Sequence, residues 1–467
     1  MRLPRLVIGG TQSGVGKTTI TTGILGTLTK HGLRVQAYKV GPDYIDPGYH
    51  TLVTGIPSRN LDGWMVDDIS ILQLFKKASS QAQFSLVEGV MGLYDGVKGE
   101  KHLASTAAIA KLLQAPVILI VDAHGAATSV AAMVLGFKVF DPEVNIAGVF
   151  LNRVGSVRHL DMIQNALDTY CPLPVIGFLE KDVALKMPER HLGLVPAGED
   201  STVKEVLAQI TDRIARNLDL ETLLKIAHGA PPLPHVPEIT VGEAISGHNL
   251  QVAVAYDDAF NFYYQDNFDL LESYGIKILK FSPLQDKALP PNIHGIILGG
   301  GYPEVFLTRL SANQAMLQEL RNACIRGVPI YAECGGYMYL TEGVIDFSGA
   351  FYPLAGIIPG KSQMNQRLSM LGYAEGTLMT DCLLGERGTK LKGHEFHYST
   401  MLESDDKARP LYITYTRKKE PVYAGYAAGN VFASYLHLHF AGNRGALHHL
   451  IKAWRLFQEK GAGVEQT

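Results

Sequence analysis

Cysteine is scarce. Of 467 residues only Cys171, Cys324, Cys334 and Cys382 are cysteines, and none stands in a C-x-x-C pair. That excludes a disulfide framework and a structural zinc site, and a reducing cytoplasm is expected. Net charge is equally slight: 42 Lys and Arg against 45 Asp and Glu leave -3. So weak a basic field does not suit a nucleic-acid backbone, and nucleic acid is not an expected partner. No apolar run reaches the roughly 18 residues that suggest a membrane span, and the N-terminus enters a strand pattern without a signal-peptide pattern. The chain therefore reads as soluble and unprocessed, with no membrane partner.

What is present is length and apolar content. A chain of 467 residues, 46% of them hydrophobic and 19% charged, exceeds what one core usually supports, so two or three domains are expected. Near the N-terminus, the apolar run Leu6-Val7-Ile8 leads into Gly9-Gly10-Thr11-Gln12-Ser13-Gly14-Val15-Gly16-Lys17-Thr18-Thr19 and then a helix-period segment. Strand, glycine loop and helix in that order make a phosphate-binding loop: backbone N–H groups turn toward an anion, Lys17 neutralises the terminal phosphates, and the Thr18 hydroxyl suits Mg²⁺. Thr11, Ser13, Gly14, Val15, Gly16, Lys17, Thr18 and Thr19 are thus expected to contact ATP or GTP. The usual spacing wants glycine where Thr11 stands; the nearest upstream glycine, Gly10, is one place further back.

Strand patterns follow at 34–40, 84–87, 116–122, 146–151 and 175–179, alternating with helical ones, which predicts a doubly wound parallel α/β sheet. In such sheets ligands bind at the carboxyl ends of strands. Asp43 and Asp46 lie there, as metal or substrate groups or as part of a solvated turn. Glu88 follows an apolar strand, where a second Mg²⁺ contact is placed, with Asp95 a weaker candidate. Asn152, at another strand end, either touches the nucleotide base or caps a loop. Pro188 to Leu194 follow the last strand.

From residue 227 to 249 periodicity fails and prolines cluster, predicting a stiff extended linker between a first domain at 1–226 and a second at 250–446, with a C-terminal helix and tail at 447–467. Strand patterns at 251–255, 277–281, 295–298 and 328–332 predict a further α/β domain. Its chemistry centres on Cys334 in Tyr331-Ala332-Glu333-Cys334-Gly335-Gly336, a strand running into a tight turn and a helix. This is a nucleophile elbow carrying cysteine, whose thiol the helix N-terminus is expected to acidify. Phe432 to Phe440 offers His437 and His439 as the base, placed by alternation on one strand face. Gly300 and Gly301, at a strand end, are oxyanion-hole candidates. His394 and Glu395, in Gly393-His394-Glu395-Phe396-His397-Tyr398-Ser399, belong either to a substrate site or to a structural cluster. The other three cysteines read as buried apolar residues.

Over essentially its whole length the sequence resembles the cobyrinate a,c-diamide synthase family, glutamine-dependent amidotransferases of corrinoid biosynthesis. Its loop from Gly10 to Thr18 is similar to the dethiobiotin-synthetase-like branch of phosphate-loop enzymes, where the extra residue after Gly10 is normal. Its second half resembles class I glutamine amidotransferase domains. The resemblance implies Cys334 as nucleophile and His437 as base of a glutaminase. Many class I domains carry Glu two residues after that His; His439 stands there, so the third member of the set is open. It further implies that ATP phosphorylates a carboxylate of a tetrapyrrole polycarboxylic acid and that ammonia from L-glutamine displaces the phosphate, twice. Lys39, Asp43 and Asp46 would attend the acyl phosphate, and Thr18, Asp46 and Glu88 the Mg²⁺. A homodimer is left open. Competing readings are the same amidation of hydrogenobyrinate or nickel sirohydrochlorin, cobyrate synthase, a thiol hydrolase with a structural nucleotide, and a regulatory ATPase of the MinD and ParA group. That group carries a signature Lys where Gln12 stands and has no cysteine elbow.

Overall fold

Every residue of β1 (Arg5–Gly10), β2 (Val35–Val40) and β4 (Phe84–Glu88) is buried, as strands covered by helices on both faces must be. The computed structural model describes residues 3–99, 102–181, 201–237, 249–402, 409–416 and 420–464. Pro188 to Leu194 and residues 238–248 of the expected linker lie outside them. The chain divides into two units, Met1–Glu238 and Ile239–Thr467.

In the first unit those strands join β3 (Arg59–Leu61), β5 (Val117–Asp122), β6 (Ile146–Val154) and β7 (Val175–Glu180) in one sheet of order β3-β2-β4-β1-β5-β6-β7. All its pairings are parallel. The helices are α1 (Lys17–Lys30), α2 (Ile45–Thr54), α3 (Asp68–Ser79), α4 (Thr106–Leu112), α5 (Thr128–Phe140), α6 (Val157–Tyr170), α7 (Ser201–Asn217) and α8 (Leu220–His228). The phosphate loop thus leaves the centre of the sheet. The edge strand β3 escapes the sequence reading because three residues, Arg59-Asn60-Leu61, are too few for a hydrophobic pattern. The proline segment after α8 is tied back to this unit: Arg5 Nη2 donates to Pro231 O at 2.6 Å and Gln73 Nε2 to Pro237 O at 2.7 Å.

The second unit opens with β8 (Gln251–Ala255), α9 (Gln265–Ser273), β9 (Lys277–Phe281), β10 (Gly295–Leu298), α10 (Leu307–Ala312), α11 (Gln314–Ile325), β11 (Ile330–Glu333) and α12 (Gly335–Leu340). After Leu340 the alternation stops. Short strands follow: β12 (Thr341–Ile345), β13 (Phe351–Pro353), β14 (Ile358–Met364), β15 (Met370–Leu378), β16 (Lys390–His397), β17 (Ser399–Leu402), β18 (Leu411–Tyr415), β19 (Val422–Ala424), β20 (Tyr426–Ala428), β21 (Val431–Ser434) and β22 (His437–Leu438), before α13 (Arg444–Val464). The main sheet is β20-β21-β11-β10-β8-β9, parallel except where β20 joins. Two smaller sheets, β13-β12-β14-β17 and β19-β18-β15-β16-β22, are mostly antiparallel. These sheets add to the expected α/β core, and their sequence signal is weak because strands such as β14 alternate buried with accessible residues over only seven positions.

Candidate functional site

In the first unit the loop's backbone is set by glycines. Gly16 has φ 98°, and a Cβ there would lie 2.3 Å from Asn152 Nδ2, so both its conformation and its neighbour demand glycine. Asn152 Nδ2 donates to Val15 O at 2.8 Å. Asn152 thus braces the loop through its Nδ2, while its Oδ1 accepts the N–H of Arg153 at 2.9 Å at the start of the following turn. Beside it, Arg153 donates to Gly14 O at 3.0 Å and pairs with Asp122 at 2.5 Å. Val15 is buried, Thr11 and Thr19 are half-buried, and Ser13 is exposed. Lys17 Nζ donates to Gln12 O at 3.2 Å and to Met91 O. Burial, and secondarily the charge of Lys39, lowers its pKa to about 8.

Beside the loop four elements deliver one polar network. Lys39 of β2 and Glu88 of β4 are register partners, so strand pairing alone places them side by side. Lys39 Nζ lies 2.7 Å from Glu88 Oε1, 2.6 Å from Asp46 Oδ2 and 3.3 Å from Gly89 O. Thr18 Oγ1, in the first turn of α1, donates to Glu88 Oε1 at 2.7 Å and lies 3.2 Å from Asp46 Oδ2. Burial works against both charges of the Lys39–Asp46 pair, yet Asp46 and Glu88 hold Lys39 well above its usual value and Lys39 holds Asp46 well below. Asp43 is different. Its Oδ1 accepts the Ile45 N–H at 2.7 Å, and burial, reinforced by Asp46, pushes it up to about 7. Asp95 accepts the Gly92 N–H at 2.8 Å and so serves a turn.

The network holds a member missed in the sequence. His50 Nε2 sits 2.7 Å from Glu88 Oε2, fully buried, with Nδ1 3.3 Å from Ser58 Oγ. The signal was its place one helical turn after Asp46, on the same face of α2. Among the described residues no three His, Cys, Asp or Glu side chains form a metal cluster by themselves. Two carboxylates and a hydroxyl beside a phosphate loop do fit Mg²⁺, which takes few protein ligands and completes its shell with phosphates and water.

In the second unit Cys334 joins β11 to α12 with φ 46° and ψ -102°, a strained conformation for a side-chain-bearing residue. Its N–H donates to Ser434 O at 2.8 Å and its Sγ lies 3.8 Å from Phe396 O. Burial first, then the carboxylate of Glu304, push the Cys334 thiol up, while the Gly335 N–H at the start of α12 acts in the expected, acidifying direction. Glu304 itself is pushed up to about 7 by burial.

The two histidines do not share one strand. β21 ends at Ser434, and the chain crosses to the antiparallel sheet before β22. His437 Nδ1 faces Glu333 Oε2 at 3.6 Å, whereas His439 Nε2 faces Asp266 Oδ2 at 3.8 Å and its ring stacks on Tyr264. Gly300 and Gly301 lie at the elbow: a Cβ on Gly300 would meet His437 Cε1 at 2.4 Å, and one on Gly335 would lie 3.3 Å from Gly301 N. His394 is the register partner of His437 and packs edge-on against Tyr373. Glu395 is buried, with Oε2 3.0 Å from the Tyr415 hydroxyl and 3.4 Å from His397 Nε2.

The same division appears in comparisons with known proteins. A family described as the CobQ/CobB/MinD/ParA nucleotide binding domain matches residues 6–195. One described as the CobB/CobQ-like glutamine amidotransferase domain matches residues 251–445. Cobyrinate a,c-diamide synthase of Dehalococcoides mccartyi is 45% identical over 451 residues, 95% of this chain and 96% of that protein. The Listeria monocytogenes protein of the same name is 45% identical over 96% of this chain and 99% of its own length, and that of Salmonella typhimurium 44% over 96% and 98%. With both domain matches in that order and such relatives aligned along almost its entire length, the chain belongs to the cobyrinate a,c-diamide synthase family.

Proposed function

We propose that the chain uses ATP and glutamine to convert the a and c side-chain carboxylates of cobyrinate to amides. The observation that carries this reading is the meeting of Thr18, Lys39, Asp46 and Glu88 beside a phosphate loop, in a chain that also holds a cysteine elbow. A carboxylate is a poor acylating agent, because its oxide leaves badly. Transfer of the ATP γ-phosphoryl group to a carboxylate oxygen releases ADP and makes the acyl phosphate. Ammonia then attacks the acyl carbon, inorganic phosphate leaves, and the excess proton passes to solvent.

Within this reading the loop N–H groups and Lys17 seat the phosphates, and Asn152 holds the loop's shape. Thr18, Asp46 and Glu88 would hold Mg²⁺, which when bound neutralises phosphate charge. Lys39 stands where it can exchange a carboxylate partner for the transferring phosphoryl group. Asp43, neutral or charged near pH 7, is placed to meet the incoming carboxylic acid.

In the second unit the Cys334 thiol gives its proton to His437, and the thiolate attacks the glutamine amide carbon. His437 returns the proton to the leaving ammonia, and water hydrolyses the thioester to glutamate. Gly300 and Gly301 supply N–H groups to the developing oxyanion. We further assign the chain to a reducing cytoplasm, because all four cysteines are free thiols.

Mass spectrometry tests the substrate. With ATP, Mg²⁺ and glutamine, cobyrinate should gain two amide groups while hydrogenobyrinate and nickel sirohydrochlorin react poorly. Faster diamidation of either of the latter would replace cobyrinate as substrate.

A further inference from the structure

Glutaminases of this kind need the imidazole held in one tautomer, with Nδ1 protonated and Nε2 ready to take the thiol proton; a carboxylate facing Nδ1 does this. Two residues after His437, where Glu commonly serves, this chain has His439. That ring is turned to Asp266 and stacked on Tyr264, so it belongs to a separate buried pair.

We infer that Glu333, the residue immediately before the nucleophile, is the carboxylate that positions His437. Two observations carry this assignment. Glu333 Oε2 faces His437 Nδ1 at 3.6 Å, with both side chains buried. Glu333 is itself anchored through its other oxygen: Oε1 accepts the Leu438 N–H at 2.9 Å and the Tyr331 hydroxyl. The first of those donors is the backbone of the residue after His437, so one carboxylate holds the main chain and, through its second oxygen, faces the ring. At 3.6 Å the ring contact is longer than a hydrogen bond, as is common before substrate draws a catalytic set together.

The arrangement also explains the position of the acid in the sequence. Tyr331 and Glu333 alternate with Ala332 along β11, so both point to one face of the strand. β11 pairs with β21 through Glu333 and Ser434, and three residues beyond Ser434 the chain presents His437. Nucleophile and positioning acid thus leave one strand end as neighbours, and the base arrives on β22, just after the adjacent strand β21 ends.

Glu333→Gln is the informative variant. Its amide oxygen can keep the Leu438 and Tyr331 bonds, but its NH₂ group then faces Nδ1 and requires it to accept. The ring proton moves to Nε2, and the base is lost. The expected result is a fall in kcat for glutamate release on the order of 10²–10⁴-fold, with KM for glutamine and the melting temperature unchanged. Glu333→Asp, which keeps the charge on a shorter arm, should recover at least roughly tenfold of that loss. A kcat for Glu333→Gln equal to the parent's, or a loss that Glu333→Asp does not relieve, would overturn the assignment. If Glu333→Gln does not fold, Glu333→Asp decides: reduced kcat at unchanged KM supports positioning, whereas an unchanged kcat or a second failure to fold overturns it.

The inference rests on the glutaminase reading of Cys334 and His437, and Cys334→Ala separates the two. Glutamate release surviving Cys334→Ala sinks that reading itself. Release abolished by Cys334→Ala but indifferent to Glu333→Gln sinks only the role of Glu333.

Discussion

Lys17 is a phosphate-loop residue whose charge ordinary changes of pH can reach. Burial and Lys39 lower it to about 8 in the nucleotide-free protein, while bound phosphates favour its charged form. Binding above that pH must then take up a proton, so the KM for ATP should climb as pH passes 8, as initial rates with ammonium as nitrogen source will measure. Asp43 has the opposite sign of consequence. A carboxyl raised on folding adds stability in acid and loses it as pH rises from its unfolded value near 4 through its folded value of about 7. Asp43→Asn should therefore gain in melting temperature relative to the parent chain across that window, and identical pH dependences would refute the shift. His50 acts through Glu88. Replacing it by Ala removes the partner of Glu88 Oε2 and should cost ATP-driven amidation about 10–100-fold with either nitrogen source.

At the scale of elements, position is set where one backbone passes close to another. Gly16 is the case in the first unit, where loop, helix α1 and the end of β6 meet. Gly16→Ala should cost about 1–3 kcal/mol through its positive φ and weaken nucleotide binding further by displacing Asn152; isothermal titration with ATP checks the second effect. In the second unit α13 closes the sheet with Trp454, which is fully buried, and a Cβ on Gly295 of β10 would lie 2.1 Å from its Nε1. Trp454→Ala should destabilise that unit by about 3–5 kcal/mol. Denaturant unfolding measures it; a change within about 0.5 kcal/mol would mean the helix contributes little.

For the whole molecule the two chemistries should separate cleanly by mutation. Cys334→Ala should abolish amidation driven by glutamine and leave amidation driven by free ammonium near the parent rate. Lys17→Ala and Glu88→Gln should remove both. Loss of ammonium-driven activity in Cys334→Ala would mean that the cysteine supports structure needed for synthesis.

Much of this organisation is legible along the chain, because its signals are local. The phosphate loop is one contiguous run, the elbow is another, and parallel strands buried on both faces declare themselves by continuous apolar runs. Antiparallel strands of two to nine residues alternate too briefly to do so, and the sheets after Leu340 were not legible. The amino-acid sequence by itself determined two α/β cores, the nucleotide loop and the cysteine elbow, each encoded by neighbours in the chain. Only the tertiary structure decided which charges meet. Strand register brings Lys39 to Glu88, the packing of α2 brings His50 to Glu88, and a chain crossing between sheets turns His437 to Glu333 and His439 to Asp266. Such pairings depend on the distance between residues far apart in sequence, which composition and periodicity do not carry.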